Sequence, residues 1–403
     1  MFDPKTLTGS DLAAELCGVR LRTPFILSSG PLSYGAEGLI RAHNAGCGAV
    51  VTKTIRLGRA INPVRHIASF GAGSLVNCEK WSDADRLQWY ETEIPQTRAA
   101  GAVVIASVGH TPAEAREIVR DAEAAGADMI ELVSYTEDTL LPMLELTKNL
   151  VGIPVICKLS ANWPDAAATG LKCLARGADG LCAIDSVGPV LKIDVEHARP
   201  ILSGADGRGW MSGEAIRPIS LHVNASIAKR APSLKSLYGS GGCMSARDAM
   251  EFFMAGCSCV GVCSVGIPRG IDHIERMCRE LSQLMDRLGY PTVESVRGAA
   301  LPFLPEKDVV SRLRFTYKPY ADKQAGARGC TQCRRCETVC CYGARTLDFP
   351  NMTVDEEKCR DCGACVDACP TGALTAEALP QDASDRAREA EADAFAARIA
   401  SLR

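Results

Sequence analysis

The chain has 403 residues, 47% of them hydrophobic and 23% charged, with a formal charge of −3. That length predicts one large domain with a smaller companion, and the charge balance excludes an extended polyanion-binding surface, arguing against a nucleic-acid partner. The start MFDPKTLTGSDLAAELCG has no basic flank before an apolar stretch and no run of about 18 apolar residues occurs; with twenty cysteines, the expectation is a cytoplasmic protein in a reducing compartment, without a membrane span.

From the N-terminus, short apolar runs recur at Phe25–Ser29, Ala49–Lys53, Val103–Ser107, Met129–Val133, Val155–Leu159, Gly180–Ile184, Ser236–Ser240 and Cys259–Cys263. Each has the length and composition of a buried parallel strand. Between most of them lie helical segments such as PAEAREIVRDAEAAGAD, rich in alanine and charge and ended by glycine. Eight strands alternating with helices predict a (β/α)8 TIM barrel over residues 1–300, since about 250 residues is typical of that fold. An open doubly wound sheet is the alternative.

In a barrel the chemistry sits at the C-terminal ends of the strands. Runs seven and eight end in GSGG (239–242) and GVCSVG (261–266), glycine-rich turns whose N–H groups can bind a phosphate where barrels place one. Residues 301–329 lose the periodic apolar runs and read as a linker.

Residues 330–375 hold two copies of C-x2-C-x2-C-x3-C: Cys330, Cys333, Cys336, Cys340, then Cys359, Cys362, Cys365, Cys369 followed by Pro370. Three thiolates two residues apart wrap one face of a cubane while the fourth reaches the other cluster, so the spacing is that of a bacterial-ferredoxin-like domain with two 4Fe–4S clusters. Cys330, Cys333, Cys336 and Cys369 are assigned to one cluster, and Cys359, Cys362, Cys365 and Cys340 to the other. Zinc knuckles lack the trailing fourth cysteine, and disulfides are disfavoured in a reducing cytosol. Cys341 stands where the first motif would often have proline. Residues 376–403 are alanine-rich with mixed charge and predict a helical tail. Clusters carry single electrons, and a phosphate-bearing flavin in the barrel would convert them into a two-electron step.

Taken together, VVTKT (50–54), LVN ending at Asn77, CKLSAN (157–162), IDSVG (184–188), MSGEAIRP (211–218), GSGG and VCSVG resemble the dihydroorotate dehydrogenase family, most closely the FMN and iron–sulfur portion of dihydropyrimidine dehydrogenases. The resemblance covers all but the last thirty or so residues. It implies FMN, with Ser28, Ser29 and Gly30 against the isoalloxazine, Lys53 and Thr54 on the ring and ribityl, and Lys158 near N1 and O2 of the flavin. Ser212, Gly213, Gly241, Gly242, Cys263 and Ser264 would complete a phosphate cradle, and Asn77, Asp185 and Ser186 would face the substrate.

The departures from that family bear on the reaction. Where its members carry N-L-S-C-P and a mobile loop with a proton-transferring Cys or Ser, this chain reads LVSYTEDTLLP (132–142). Val133 cannot replace the amide, and the catalytic thiol is missing. Asp185 puts a carboxylate beside the substrate, unless a cation such as Arg217 neutralises it. Candidate proton donors are Tyr135, His110, Glu137, Asp138 and Asp185, with Tyr135 preferred; Glu137 and Asp138 also fit a helix start and His110 a flank to the cap Thr111. Cys78 is a candidate by proximity to Asn77 alone. The expected activity is oxidation or reduction of an activated C–C bond in a small planar substrate, with Asn77, Tyr135, Lys158 and Asp185 carrying it; the alternative is an electron-transfer subunit. No G-x-G-x-x-G unit is present, so electrons are expected through an FAD- and NAD(P)H-dependent partner subunit or a ferredoxin, in an oligomer.

Overall fold

A computed structural model describes residues 1–71, 73–321, 328–381 and 383–400. The chain divides into two compact units, Met1–Leu304 and Pro305–Arg403.

The first unit is a closed parallel barrel. Its strands are β1 (Phe25–Leu27), β2 (Ala49–Val51), β3 (Val103–Gly109), β4 (Met129–Val133), β5 (Val155–Leu159), β6 (Gly180–Ala183), β7 (Leu237–Gly239) and β8 (Cys259–Val262), joined in sequence order with β8 returning to β1. Seven lie within the expected runs, and β3 continues its run by two residues to Gly109. The strands are apolar throughout because both faces are covered. Alternate residues Ile26, Val51, Ile105, Met129, Ile156, Cys182, Tyr238 and Cys259 fill the barrel interior, whereas Phe25, Leu27, Val50, Val104, Ile130 and Val155 pack outward against the helices. A hairpin of Ala14–Leu16 and Val19–Leu21 adds Leu16 and Leu21 to the interior at the N-terminal ends of the strands.

The helices follow the same arithmetic. In Pro112–Ala124, Ala115, Ile118, Val119 and Ala122 are buried, one face at 3.6-residue spacing, and Thr111 caps the start by accepting from Glu114 N–H. Each Ile or Val so buried contributes about 1.5–3 kcal/mol.

Two connections carry an element that strand counting did not foresee. Ile67–Phe70 and Ser74–Asn77 lie between β2 and β3, Val187–Leu191 and Arg208–Gly213 between β6 and β7. They pair as one antiparallel sheet in the order 187–191, 208–213, 74–77, 67–70.

The second unit contains two antiparallel pairs, Leu313–Tyr317 with Leu374–Ala378 and Arg345–Asp348 with Asn351–Val354. The expected linker therefore contributes a strand to this unit; its residues 322–327 lie outside the described residues. The tail helix spans Ala383–Ala400 and pairs Asp393 with Lys307 at 2.9 Å; residues 382 and 401–403 of the expected tail are also outside the described set. Among the described residues no helix is long and apolar enough to cross a membrane.

Candidate active site

Strand periodicity decides what lies at the floor of the barrel mouth. Two residues beyond the interior Met129 on β4 is Glu131, and two beyond Ile156 on β5 is Lys158, so both charged side chains point inward. Glu131 is 0% and Lys158 6% exposed. Lys158 Nζ lies 3.9 Å from Glu131 Oε1 and 3.5 Å from Asp185 Oδ1, and the Tyr238 hydroxyl donates to Glu131 Oε2. Burial pushes the Lys158 ammonium down, but the charges of Asp185 and then Glu131 outweigh it and hold it above its ordinary range. Glu131 Oε1 is buried without a hydrogen bond.

Above this floor opens a cavity of about 440 Å3. Ser28, Ser29, Gly30, Lys53, Thr54, Ser212, Gly241, Gly242, Cys263 and Ser264 all line it, as do Asn77, Tyr135, Lys158, Asp185 and Ser186. Gly213 is the exception among the expected cradle residues. It ends its strand at φ 80°, and its carbonyl packs behind Gly242.

The strand-end turns fit a phosphate-bearing cofactor. Gly241 and Gly242 have φ 104° and 95°, conformations that favour glycine, and a Cβ on Gly242 would fall 2.6 Å from Arg217 Cβ. Among the described residues their N–H groups have no backbone acceptor. The Ser264 hydroxyl donates to Ser212 Oγ at 3.1 Å, joining the β8 end to the roof sheet. On the other side Thr54 Oγ1 lies 3.0 Å from Ser107 Oγ and 3.4 Å from Ser29 Oγ. The residues present thus offer oriented donors for an anion at one end and a buried cation at the floor, the polarity that FMN requires.

The antiparallel sheet is the roof. Along Ser74–Asn77 alternate residues divide: Leu75 and Asn77 face the cavity, while Val76 and Cys78 pack with Ala68 and Leu202 on the other side. The period of two thus takes Cys78 away from the substrate side and removes it as a proton donor. Trp210, paired with Asn77, and Trp81 also line the cavity. Lys53 Nζ is bound to Glu79 at 2.6 Å. Asn162 donates to Ser186 O at 3.2 Å and accepts from Gly188 N–H at 3.0 Å, fixing the turn that presents Asp185 and Ser186. Arg217 does not neutralise Asp185: it pairs with Asp248 at 2.7 Å and Glu251 at 3.1 Å, and the cation beside Asp185 is Lys158.

At the end of β4 only Ser134–Thr136 precede the helix Glu137–Lys148. Tyr135 stacks on His110 with ring centroids 4.1 Å apart, and both line the cavity. Burial, then the Arg56 charge, push His110 down from 6.5 to about 4, so the ring is neutral at pH 7; its Nδ1 has no hydrogen-bond partner. Tyr135 is 66% exposed at the cavity mouth, and partial desolvation by the residues around it raises its phenol above the usual value. Arg56 is held by Glu114 at 2.7 Å and lies 4.2 Å over Trp81. Glu137 instead binds Thr169 and, at 2.5 Å, Lys172, and neither it nor Asp138 reaches the cavity.

In the second unit Cys330, Cys333 and Cys336 of the first motif and Cys369 of the second line one small cavity. Gln332 N–H points at Cys330 Sγ and Ala344 N–H at Cys340 Sγ, each at 3.3 Å. Burial raises both fourth cysteines, Cys340 and Cys369, but backbone N–H groups, of Ala344, Tyr342 and Arg345 around Cys340 and of Leu374, Thr371 and Ala373 around Cys369, outweigh it and favour thiolate. Burial raises the Cys336 thiol instead; the N–H groups aimed at the Cys330 and Cys340 sulfurs are donors of the kind that cluster thiolates accept. Cys341 is exposed.

The dihydroorotate dehydrogenase family profile matches residues 96–285 and a 4Fe-4S binding domain matches 352–375. The chain is 30% identical over 311 residues, 72% of its length and 98% of the relative's, to the catalytic subunit of dihydroorotate dehydrogenase B (NAD(+)) of Methanothermobacter thermautotrophicus. It is 27% identical over 344 residues (75% and 80%) to the chloroplastic dihydropyrimidine dehydrogenase (NADP(+)) of Arabidopsis thaliana. With the NAD-dependent dihydropyrimidine dehydrogenase subunit PreA of Escherichia coli it shares 26% over 377 residues (85% and 89%).

Proposed function

The chain belongs to the dihydroorotate dehydrogenase family of flavin oxidoreductases acting on CH–CH groups, and on that premise we propose that it adds or removes two electrons and two protons at an activated C–C bond of a small planar molecule. FMN would supply the ring that exchanges a hydride with that bond and single electrons with 4Fe–4S clusters. Ser28, Ser29, Gly30, Lys53 and Thr54 would hold its ring side, and Ser212, Ser264, Gly241 and Gly242 its phosphate. The observation that carries the reading is the convergence of these groups, the buried Lys158 and the phenol of Tyr135 on one cavity of about 440 Å3.

Lys158 offers fixed positive charge at the floor, where a low dielectric makes it effective against negative charge gained on reduction. Tyr135 is the proton donor. Its phenol stays protonated at neutral pH, and the neutral His110 ring behind it holds its orientation without competing as an acid. Asn77 and Ser186 read the polar edge of the substrate, and Asp185, compensated by Lys158, accepts from substrate donors. The three-residue connection after β4 leaves no place for a thiol-bearing loop, and Val133 supplies no amide, so uracil, thymine and dihydroorotate are poor substrates.

The second unit would hold two clusters, one on Cys330, Cys333, Cys336 and Cys369, the other on Cys359, Cys362, Cys365 and Cys340. Electrons come from an FAD- and NAD(P)H-dependent partner subunit or a ferredoxin, in an oligomeric cytoplasmic assembly; the NAD-dependent subunit among the relatives supports the first of these. Anaerobically purified protein should contain one FMN and about eight irons per chain. Less than half that iron with stoichiometric zinc overturns the cluster assignment. The short β4 connection also favours a second reading, a flavin and iron–sulfur subunit that only passes electrons; reoxidation by a redox protein and by no small molecule would establish it.

A further inference from the structure

The two cysteine motifs are copies, and the structure repeats with them. Left-handed backbone recurs at Gln332 and Asp361 (φ 56° and 53°), at Arg334 and Gly363 (56° and 78°) and at Gly343 and Gly372 (60° and 66°). A short helix follows each loop, Arg335–Thr338 and Ala364–Asp367, and a strand follows each fourth cysteine. In CCYGARTL and CPTGALTA, Ala344 corresponds to Ala373 and Arg345 to Leu374, the first residue of each strand. Leu374 is 1% exposed and packs with Cys336 and Cys365; Arg345 is 6% exposed. A leucine and an arginine therefore occupy the same buried place in the two halves.

A guanidinium there costs several kcal/mol unless compensated. It stacks on Phe315, with Cζ 3.8 Å from the ring centroid, and Nη1 meets Met352 Sδ at 3.8 Å. Nη2 is buried with no hydrogen-bond partner, and among the described residues no carboxylate pairs with Arg345. A cation–π contact returns about 0.5–2 kcal/mol, less than the burial costs, and packing alone is met by leucine in the other half. The anion that would compensate it is placed by the repeat: Leu374 lines the small cavity of Cys330, Cys333, Cys336 and Cys369, and in the other half the residue before Arg345, Ala344, points its N–H at Cys340 Sγ at 3.3 Å.

Resting on the two-cluster reading above, we propose that Arg345 is the built-in counter-charge of the cluster on Cys340, Cys359, Cys362 and Cys365, and gives it a higher reduction potential than its twin, which has Leu374 in the equivalent place. Reduction adds one electron to an already anionic, thiolate-bound centre, and an unscreened cation in low dielectric favours the reduced form. The pair is thus graded, with the Arg345-side cluster filling first.

The test is a spectroelectrochemical titration of the full chain, with iron counted in each sample. Wild type should show two one-electron transitions. In Arg345→Leu, which installs the twin's own residue, the upper transition should move down until the reduced-to-oxidised ratio at its former midpoint falls about tenfold, a shift of ~59 mV for one electron. The lower transition should stay in place, and Arg345→Lys should restore most of the difference. Retained iron with neither transition moved, or both moved equally, overturns the inference. If Arg345→Leu loses iron, Arg345→Gln carries the same comparison. Iron lost from both neutral variants but kept in Arg345→Lys counts for the charge, and iron lost from all three counts against it. About four irons and a single transition in wild type would instead sink the two-cluster reading, and the inference with it.

Discussion

The floor and the roof of the cavity are built on opposite terms. The floor is a charge chain, Tyr238 to Glu131 to Lys158 to Asp185, the first three buried on strands of the closed barrel and Asp185 two residues past the end of β6, its side chain 41% exposed. The roof is a four-stranded sheet made from two barrel connections, and it presents an amide, two indoles and a half-exposed turn. Charges in the floor are fixed before anything binds, as electrostatic preorganisation requires. The roof meets them only at Asp185, two residues before its strand Val187–Leu191. On the roles proposed above, the difference separates electron chemistry from substrate choice, and each substitution below strikes one side.

Lys158→Ala strikes the floor and should have the largest effect. It leaves Glu131 and Asp185 without their cation, and breaking such a buried pair costs about 3–5 kcal/mol. Flavin reduction rate or affinity should fall about 10³-fold, read by stopped-flow bleaching and equilibrium dialysis. Retention of both would mean that the strand-end lysine is only a packed side chain.

At the edge between floor and roof, Tyr135→Phe should lower turnover about 10²-fold with flavin reduction unaltered. His110→Phe, which keeps a stacked ring, should affect turnover far less. Equal losses in the two would move the acid role to the imidazole.

Asn77→Ala strikes the roof. Loss of one neutral hydrogen bond should raise KM about tenfold and leave kcat and flavin content alone. Cys78→Ala, on the far side of the same strand, should change kinetics less than about twofold; a larger effect would contradict the register that turns Cys78 away.

Acid stability reports on His110 together with His43, which burial also pushes down from 6.5 to about 4. The His110 value falls from 6.5 to about 4 on folding, so between those limits the unfolded chain binds a proton that the barrel does not. Stability therefore rises with pH through that window and is lost on acidification, by up to about 3 kcal/mol for each histidine. His110→Phe should remove about half of this limb in urea melts between pH 7 and pH 4, the rest belonging to His43.

The barrel was legible because buried parallel strands are short apolar runs, and all eight appear where such runs occur. Residues immediately after them, such as Lys53, Asp185 and Ser264, were legible as site residues for the same reason. Glu131 was missed although the signal is present: it is the one charged residue in the wholly buried strand MIELV. Trp81, Trp210 and Glu79 lie on connections, where no strand-end rule applies, and the pairing of sequence-distant segments such as 74–77 with 208–213 leaves no local trace. The partner of Asp185 illustrates the same limit. The sequence offers Arg217 as its cation, and only the inward period of β5 brings Lys158 there instead.

The central claim, that an intact electron-handling floor serves a roof no longer shaped for pyrimidines, is tested most directly by anaerobic reoxidation. The dithionite-reduced, cofactor-replete chain is mixed with uracil, thymine, orotate and a panel of other planar unsaturated compounds, and flavin absorbance is followed. The account predicts a compound outside the first three that reoxidises the flavin at least about tenfold faster than any of them, a rate that falls with Tyr135→Phe. Uracil or orotate as the fastest acceptor would contradict it.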